Sequence, residues 1–213
     1  MTIAKPNHIK LYKVAFALAI FTIIYNILEG LISTYLGYED ESLALFGFGA
    51  DSFIEVVSGL GIVHMILRIQ KQPNSNRDTF ERTALRVTGF AFYILVFALV
   101  ITSFYNIWIG HTPIATFFGV IISVISIIVM WILVAWKKRV GHQLDSEPIL
   151  ADANCTMVCL YMSIILLLSS GIYELTAIPY IDSLGTLGLA YFAFKEGKEC
   201  FEKANSEKYC GCD

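Results

Sequence analysis

The chain has 213 residues, 56% hydrophobic and only 15% charged, with a mean hydropathy of +0.66; soluble domains run nearer about 45–50% apolar and about 25% charged. That balance excludes an ordinary soluble domain and identifies an integral membrane protein. The formal net charge of −3 is too small to draw in nucleic acid or a strongly acidic partner.

Apolar stretches of helix-spanning length fall at about 12–36, 43–67, 84–109, 112–136, 149–173 and 178–194. The last is short and polar-ended, but an even number of spans is needed if both termini share a side. The predicted fold is therefore all-α, with six transmembrane helices in one multi-pass domain over residues 1–200 and a short cysteine-containing tail at 201–213. Lys5, Lys10 and Lys13 precede a run too long for a signal-peptide core.

Charge sets the expected orientation. The first connection (YEDES), the third (GHTP) and the fifth (ELTAIP) hold no Lys or Arg. All 15 basic residues lie before the first span, in the second connection (RIQKQPNSNRDTFERTALR), in the fourth (KKRVG), or from Lys195 onward. The positive-inside rule then puts both termini in the cytoplasm, with a plasma (inner) membrane as the expected site. The five cysteines fall in spans or on the reducing side, which favours thiols or metal ligands over disulfides.

The first span carries Asn26 and Glu29 on one helical face, towards its outer half. In the second, FGADSFIEVVSG places Asp51 and Glu55 four residues apart, on one face a turn apart. An acid at a span centre costs roughly 2.5–3.5 kcal/mol on insertion scales, so two together require something that offsets their burial. This span is also rich in Gly, Ala and Ser, which suits a helix packed inside a bundle. The fourth span is bulky and nearly featureless, as expected of a peripheral, lipid-facing helix.

The fifth span opens EPILADANCTMVCLYMS, where Cys155 and Cys159 repeat the four-residue spacing. At about 1.5 Å per residue, Asp51 and Glu55 lie roughly 12–18 Å from the cytoplasmic edge and the cysteines roughly 9–15 Å. Two pairs at one depth make a four-coordinate metal site, with oxygen and sulfur ligands suited to Zn²⁺ or Cd²⁺. The competing readings are cysteines that merely pack and acids that hydrogen-bond between helices. Asp152 lies a turn to the cytoplasmic side, at an inner entrance. Glu39, Asp40, Glu41, Glu174 and Asp182 gather towards the outer surface, where an acidic vestibule would attract cations. Cys210 and Cys212, in the terminal KYCGCD, form a weaker candidate for metal capture. The histidines of the helical region stand singly, and no HExxH motif or nucleophile–base pair suggests an enzyme.

These residues resemble the transmembrane domain of the cation diffusion facilitator (cation efflux) family. The matching stretches are NILEG at 26–30, FGADSFIEVVSG at 48–59, DANCTMVC at 152–159 and IDS at 181–183. The resemblance implies a secondary transporter that exports divalent metal in exchange for protons, through a site between the second and fifth helices. Asp51 and Glu55 match the family's second-helix pair, and Cys155 and Cys159 stand where a His/Asp-type pair is usual. The family's His-rich connection between helices four and five is missing, and so is its cytoplasmic domain after helix six. The expected partners are a divalent metal, protons and the bilayer, with a homodimer left open and no resident cofactor. The alternative reading is a membrane metal sensor or scaffold that binds without transporting.

Overall fold

The structure is a computed structural model that describes residues 6–71, 79–178 and 180–206. Six helices follow one another: α1 (Pro6–Glu39), α2 (Leu43–Lys71), α3 (Thr79–Ile109), α4 (Phe117–Leu144), α5 (Glu147–Thr176) and α6 (Ile181–Asn205). Five of them, α1 to α5, are long and apolar enough to cross a membrane on their own composition. The more polar α6 packs chiefly on α3 and α5.

Neighbouring helices run antiparallel and close a ring in the order α1, α2, α3, α6, α5, α4 and back to α1. Across its middle α2 also touches α5 and α6, so α2 is the most central helix, as its small residues suggest. Glycine is what permits this: a Cβ at Gly49 would meet the Thr34 backbone nitrogen of α1 at 2.5 Å, and one at Gly47 would meet Leu99 of α3 at 2.8 Å. In lipid, where apolar surface gains little from burial between helices, such close backbone approach supplies the packing energy.

Polarity is inverted relative to a soluble bundle. Phe21, Leu28, Phe90, Phe97, Ile125 and Trp131 are exposed, while Asn26, Glu29, Asp51, Ser103, Ser126 and Lys137 are buried. An apolar rind around a polar interior is what a bilayer demands of a multi-pass protein.

The helices outrun the apolar stretches that announce them. The KKRVG segment, expected as the fourth connection, is helical: α4 continues to Leu144, and only Asp145 and Ser146 separate it from α5. The charged flanks of the second connection are likewise absorbed into α2 and α3. Charged residues at helix ends remain able to reach interfacial water, so hydropathy marks the membrane core and not the end of the helix. Helix α4 is also less featureless than expected. Its buried stripe runs Gly119, Ser123, Ser126, Met130, Leu133, Lys137, Val140 and Leu144, while its opposite face is apolar and exposed.

Candidate cation site

Helix α2 turns Asp51 and Glu55 inward because Gly47 and Gly49 let its neighbours close around it. Asp51 is 2% exposed, and its Oδ1 has no hydrogen-bond partner. One turn on, the thiol of Cys159 on α5 donates to Glu55 Oε1. The amide of Asn26 on α1 donates to Glu55 Oε2 at 2.7 Å. Three helices therefore meet on one carboxylate.

A cavity of about 50 Å³ opens at this junction, bordered by Asn26, Glu55, Asp152, Cys155, Cys159 and Glu196, among others. It exceeds the room a single water requires. Cys155 faces it half-buried, one turn towards the end of the bundle that carries the termini. Cys155, Cys159 and Cys200 are free thiols. Among the described residues, no three His, Cys, Asp or Glu side chains are drawn together as a ready-made metal-coordinating group. The Glu55 oxygens are instead engaged by the Cys159 thiol and the Asn26 amide, while Asp51 lies a turn deeper.

Glu29 sits beyond Asn26 on α1 and is held by Tyr25 Oη at 2.8 Å and Ser52 Oγ at 3.1 Å. Asp152 lies on the terminus side, where its Oδ1 accepts from the buried Lys137 Nζ of α4 at 3.0 Å. The same ammonium donates to Thr156 Oγ1 at 2.9 Å. Asp182 has a different setting from the four candidate ligands: its carboxylate accepts from Ser42 Oγ at 2.6 Å and from the backbone nitrogens of Leu43 at 2.8 Å and Ala44 at 3.4 Å. It closes the N-terminal turn of α2, whose unpaired N–H groups would otherwise lack acceptors. Cys210 and Cys212 lie outside the described residues.

At the far end, Glu39, Glu41, Asn106 and His111 border an open cavity of about 450 Å³, where the His111 Nε2 and Glu41 Oε2 atoms are 2.9 Å apart. Asp40 occupies the adjoining turn, and the pKa of its carboxyl is raised above the ordinary value by partial desolvation and by the charges of Glu174 and Glu39.

Two participants escaped the reading of the sequence. Glu196 is 7% exposed and borders the central cavity. It sits in FKEGKECFEK, which reads as a charged flank beyond the last apolar stretch. The signal available was periodicity, because Asp182, Thr186, Leu189, Ala193, Glu196 and Cys200 form one buried stripe. Lys137 was hidden in the same way, within KKR, on the buried stripe of α4.

Acids, a thiol and an amide directed into the interior of an apolar-skinned bundle define a membrane protein that handles cations. The chain belongs to the cation efflux family: the model of the cation efflux transmembrane domain matches residues 13–207, nearly the whole chain. It is thus a cation transporter, as that family's members are. No curated protein matches it.

Proposed function

We propose that the transported cation is a thiophilic divalent metal of the Zn²⁺ or Cd²⁺ kind, held between α2 and α5 by Asp51, Glu55, Cys155 and Cys159. We further propose that it is carried out of the cytoplasm in exchange for protons. The observation that carries this reading is the direct contact of Glu55 with Cys159, beside the unpartnered oxygen of Asp51. It joins an oxygen donor of one helix to a sulfur donor of another, at a point where each already has a one-turn companion.

The chemistry follows from the donor set. Carboxylate and thiolate together suit a borderline-to-soft divalent ion. A metal requires its ligands deprotonated, so loading displaces the thiol proton shared with Glu55 and any proton on Asp51. Glu29, Asp51, Glu55 and Glu196 gather in a low-dielectric interior where they cannot all hold charge without a cation or protons to neutralise them. Metal and protons therefore compete for one set of groups. If the site opens to one side and then the other, that competition becomes exchange. The basic residues grouped at the terminus end support a cytoplasmic location for it. Departure towards the Glu39, Glu41 and His111 cavity gives the ion an acidic exit.

The test is metal uptake by proteoliposomes with a proton-gradient readout. Asp51→Ala is expected to abolish Zn²⁺ and Cd²⁺ movement and the coupled proton flux, with unchanged yield and elution profile. Full transport in that variant would remove Asp51 from the site. A wild-type protein that binds metal but moves none would favour the sensor reading.

A further inference from the structure

Beyond the pair on α2 and the pair on α5, α6 presents a third: Glu196 and Cys200, four residues apart and both on its buried stripe. Glu196 is 7% exposed and Cys200 5% exposed. Both border the central cavity together with Glu55, Cys155 and Cys159. Oε1 of Glu196 is buried and has no hydrogen-bond partner. A carboxylate removed from water normally recovers hydrogen bonds from its surroundings, and an unmet oxygen facing a cavity invites a ligand.

A second cavity, of about 40 Å³, continues from the first towards the terminus end. Cys155, Cys200 and Asp152 border both, whereas Cys159 and Glu55 border only the inner one. The two thiols thus stand where the cavities meet. The protein already sets a positive charge there: Lys203 Nζ, reaching back from the last turn of α6, lies 3.4 Å from Cys155 Sγ and 3.1 Å from Glu199 Oε2.

We infer that Cys155, Glu196 and Cys200 form a staging site for a thiophilic divalent cation, between the terminus end and the Asp51–Glu55 pair. The ion is taken up by the two sulfurs and the Glu196 carboxylate, which must draw in from the cavity wall to hold it. It then passes to Glu55 and Cys159, one turn further in. Cys155 belongs to both sets and makes the transfer a ligand exchange in place of a release. Lys203 stands aside when the ion arrives, since cation and ammonium compete for one sulfur. This inference rests on the transport reading, and its test separates the two.

The probe is Cd²⁺ alone, followed by sulfur-to-cadmium charge-transfer absorption and by the number of ions bound per chain. All measurements use full-length protein carrying Cys210→Ser and Cys212→Ser, so that the tail does not contribute. Because Cys155 serves both sets, the unaltered interior is expected to bind one ion at a time. With Asp51→Ala and Glu55→Ala transport stops, but one ion stays bound and thiolate absorption persists. Adding Cys200→Ser to that protein removes the remaining ion and its absorption. In the otherwise intact interior, Glu196→Gln raises the KM for Cd²⁺ about tenfold, and Glu196→Asp recovers part of the loss. Helical circular dichroism reports folding in each case; should Cys200→Ser misfold, Cys200→Ala and the Glu196→Gln binding count serve instead. Loss of the bound ion in Asp51→Ala/Glu55→Ala, or absorption indifferent to both Cys200 and Glu196, overturns the staging site. Transport persisting in Asp51→Ala/Glu55→Ala overturns the transport reading and leaves the absorption to judge the staging site separately.

Discussion

Lys137→Met breaks the buried pair that fastens α4 to α5, and its cost can be worked from the geometry. Lys137 is 2% exposed, with Nζ 3.0 Å from Asp152 Oδ1 and 2.9 Å from Thr156 Oγ1. At an effective dielectric of about 20, unit charges at that separation attract by about 5–6 kcal/mol. Desolvation of both groups consumes much of this, so the pair's net contribution is small. Removing one partner is different, because Asp152 is then left buried and unpaired at a loss of about 3–5 kcal/mol. At about 2–4 °C per kcal/mol for a chain of this size, the expected fall in Tm is about 6–20 °C. The assay is thermal unfolding in detergent by loss of the monodisperse elution peak, for Lys137→Met, Asp152→Leu and the double variant. The double variant should recover most of the loss, giving a coupling energy of at least ~2 kcal/mol. A cost under ~1 kcal/mol for Lys137→Met, or two single losses that simply add, refutes the assignment of a buried ion pair.

Other expectations test different parts of the bundle. Cys159→Ser should weaken Cd²⁺ transport at least about tenfold, and Zn²⁺ by much less, because only the softer ion depends strongly on sulfur; equal losses would argue against thiolate ligation. Asp182→Ala removes the acceptor for Ser42 and for two backbone nitrogens of α2, at a cost of about 1–2 kcal/mol in thermal stability. An unchanged melting profile would count against the cap. Gly49→Val drives a side chain into the Thr34 backbone and should cost about 3 kcal/mol or more, seen as lost yield of folded protein; normal yield would mean that α1 and α2 can separate without penalty.

The membrane class and six-helix order could be read from composition and spacing because the bilayer imposes a coarse, length-based rule. The inward turn of Asp51, Glu55 and Cys159 was equally legible, since an acid in an apolar helix has few places to face. Partner choice was not. Depth counted along the chain set the two pairs level, but helices that cross and slide by half a turn decide contacts, and Glu55 meets Cys159 while Asp51 lies deeper. Asp182 could be read only as an outer acid, because its role depends on the start of α2, 140 residues away in sequence. Lys137 and Glu196 were obscured by charged neighbours, which lower a hydropathy average without changing which face of the helix is inside.

The carboxylate of Asp182 ties the first turn of α6 to the first turn of α2. Two rods pinned at one tip behave like the arms of a compass: they spread readily at their free points and hardly at the joint. Any cycle that bares the central acids to the far side must therefore either unfasten that joint or carry α2 and α6 as one piece, with α1 packed on α2, while α4 and α5 shift against them. The second course preserves every contact of the pin, and it makes the seam between α2 and α5, where the proposed ligands meet, the one that has to slide.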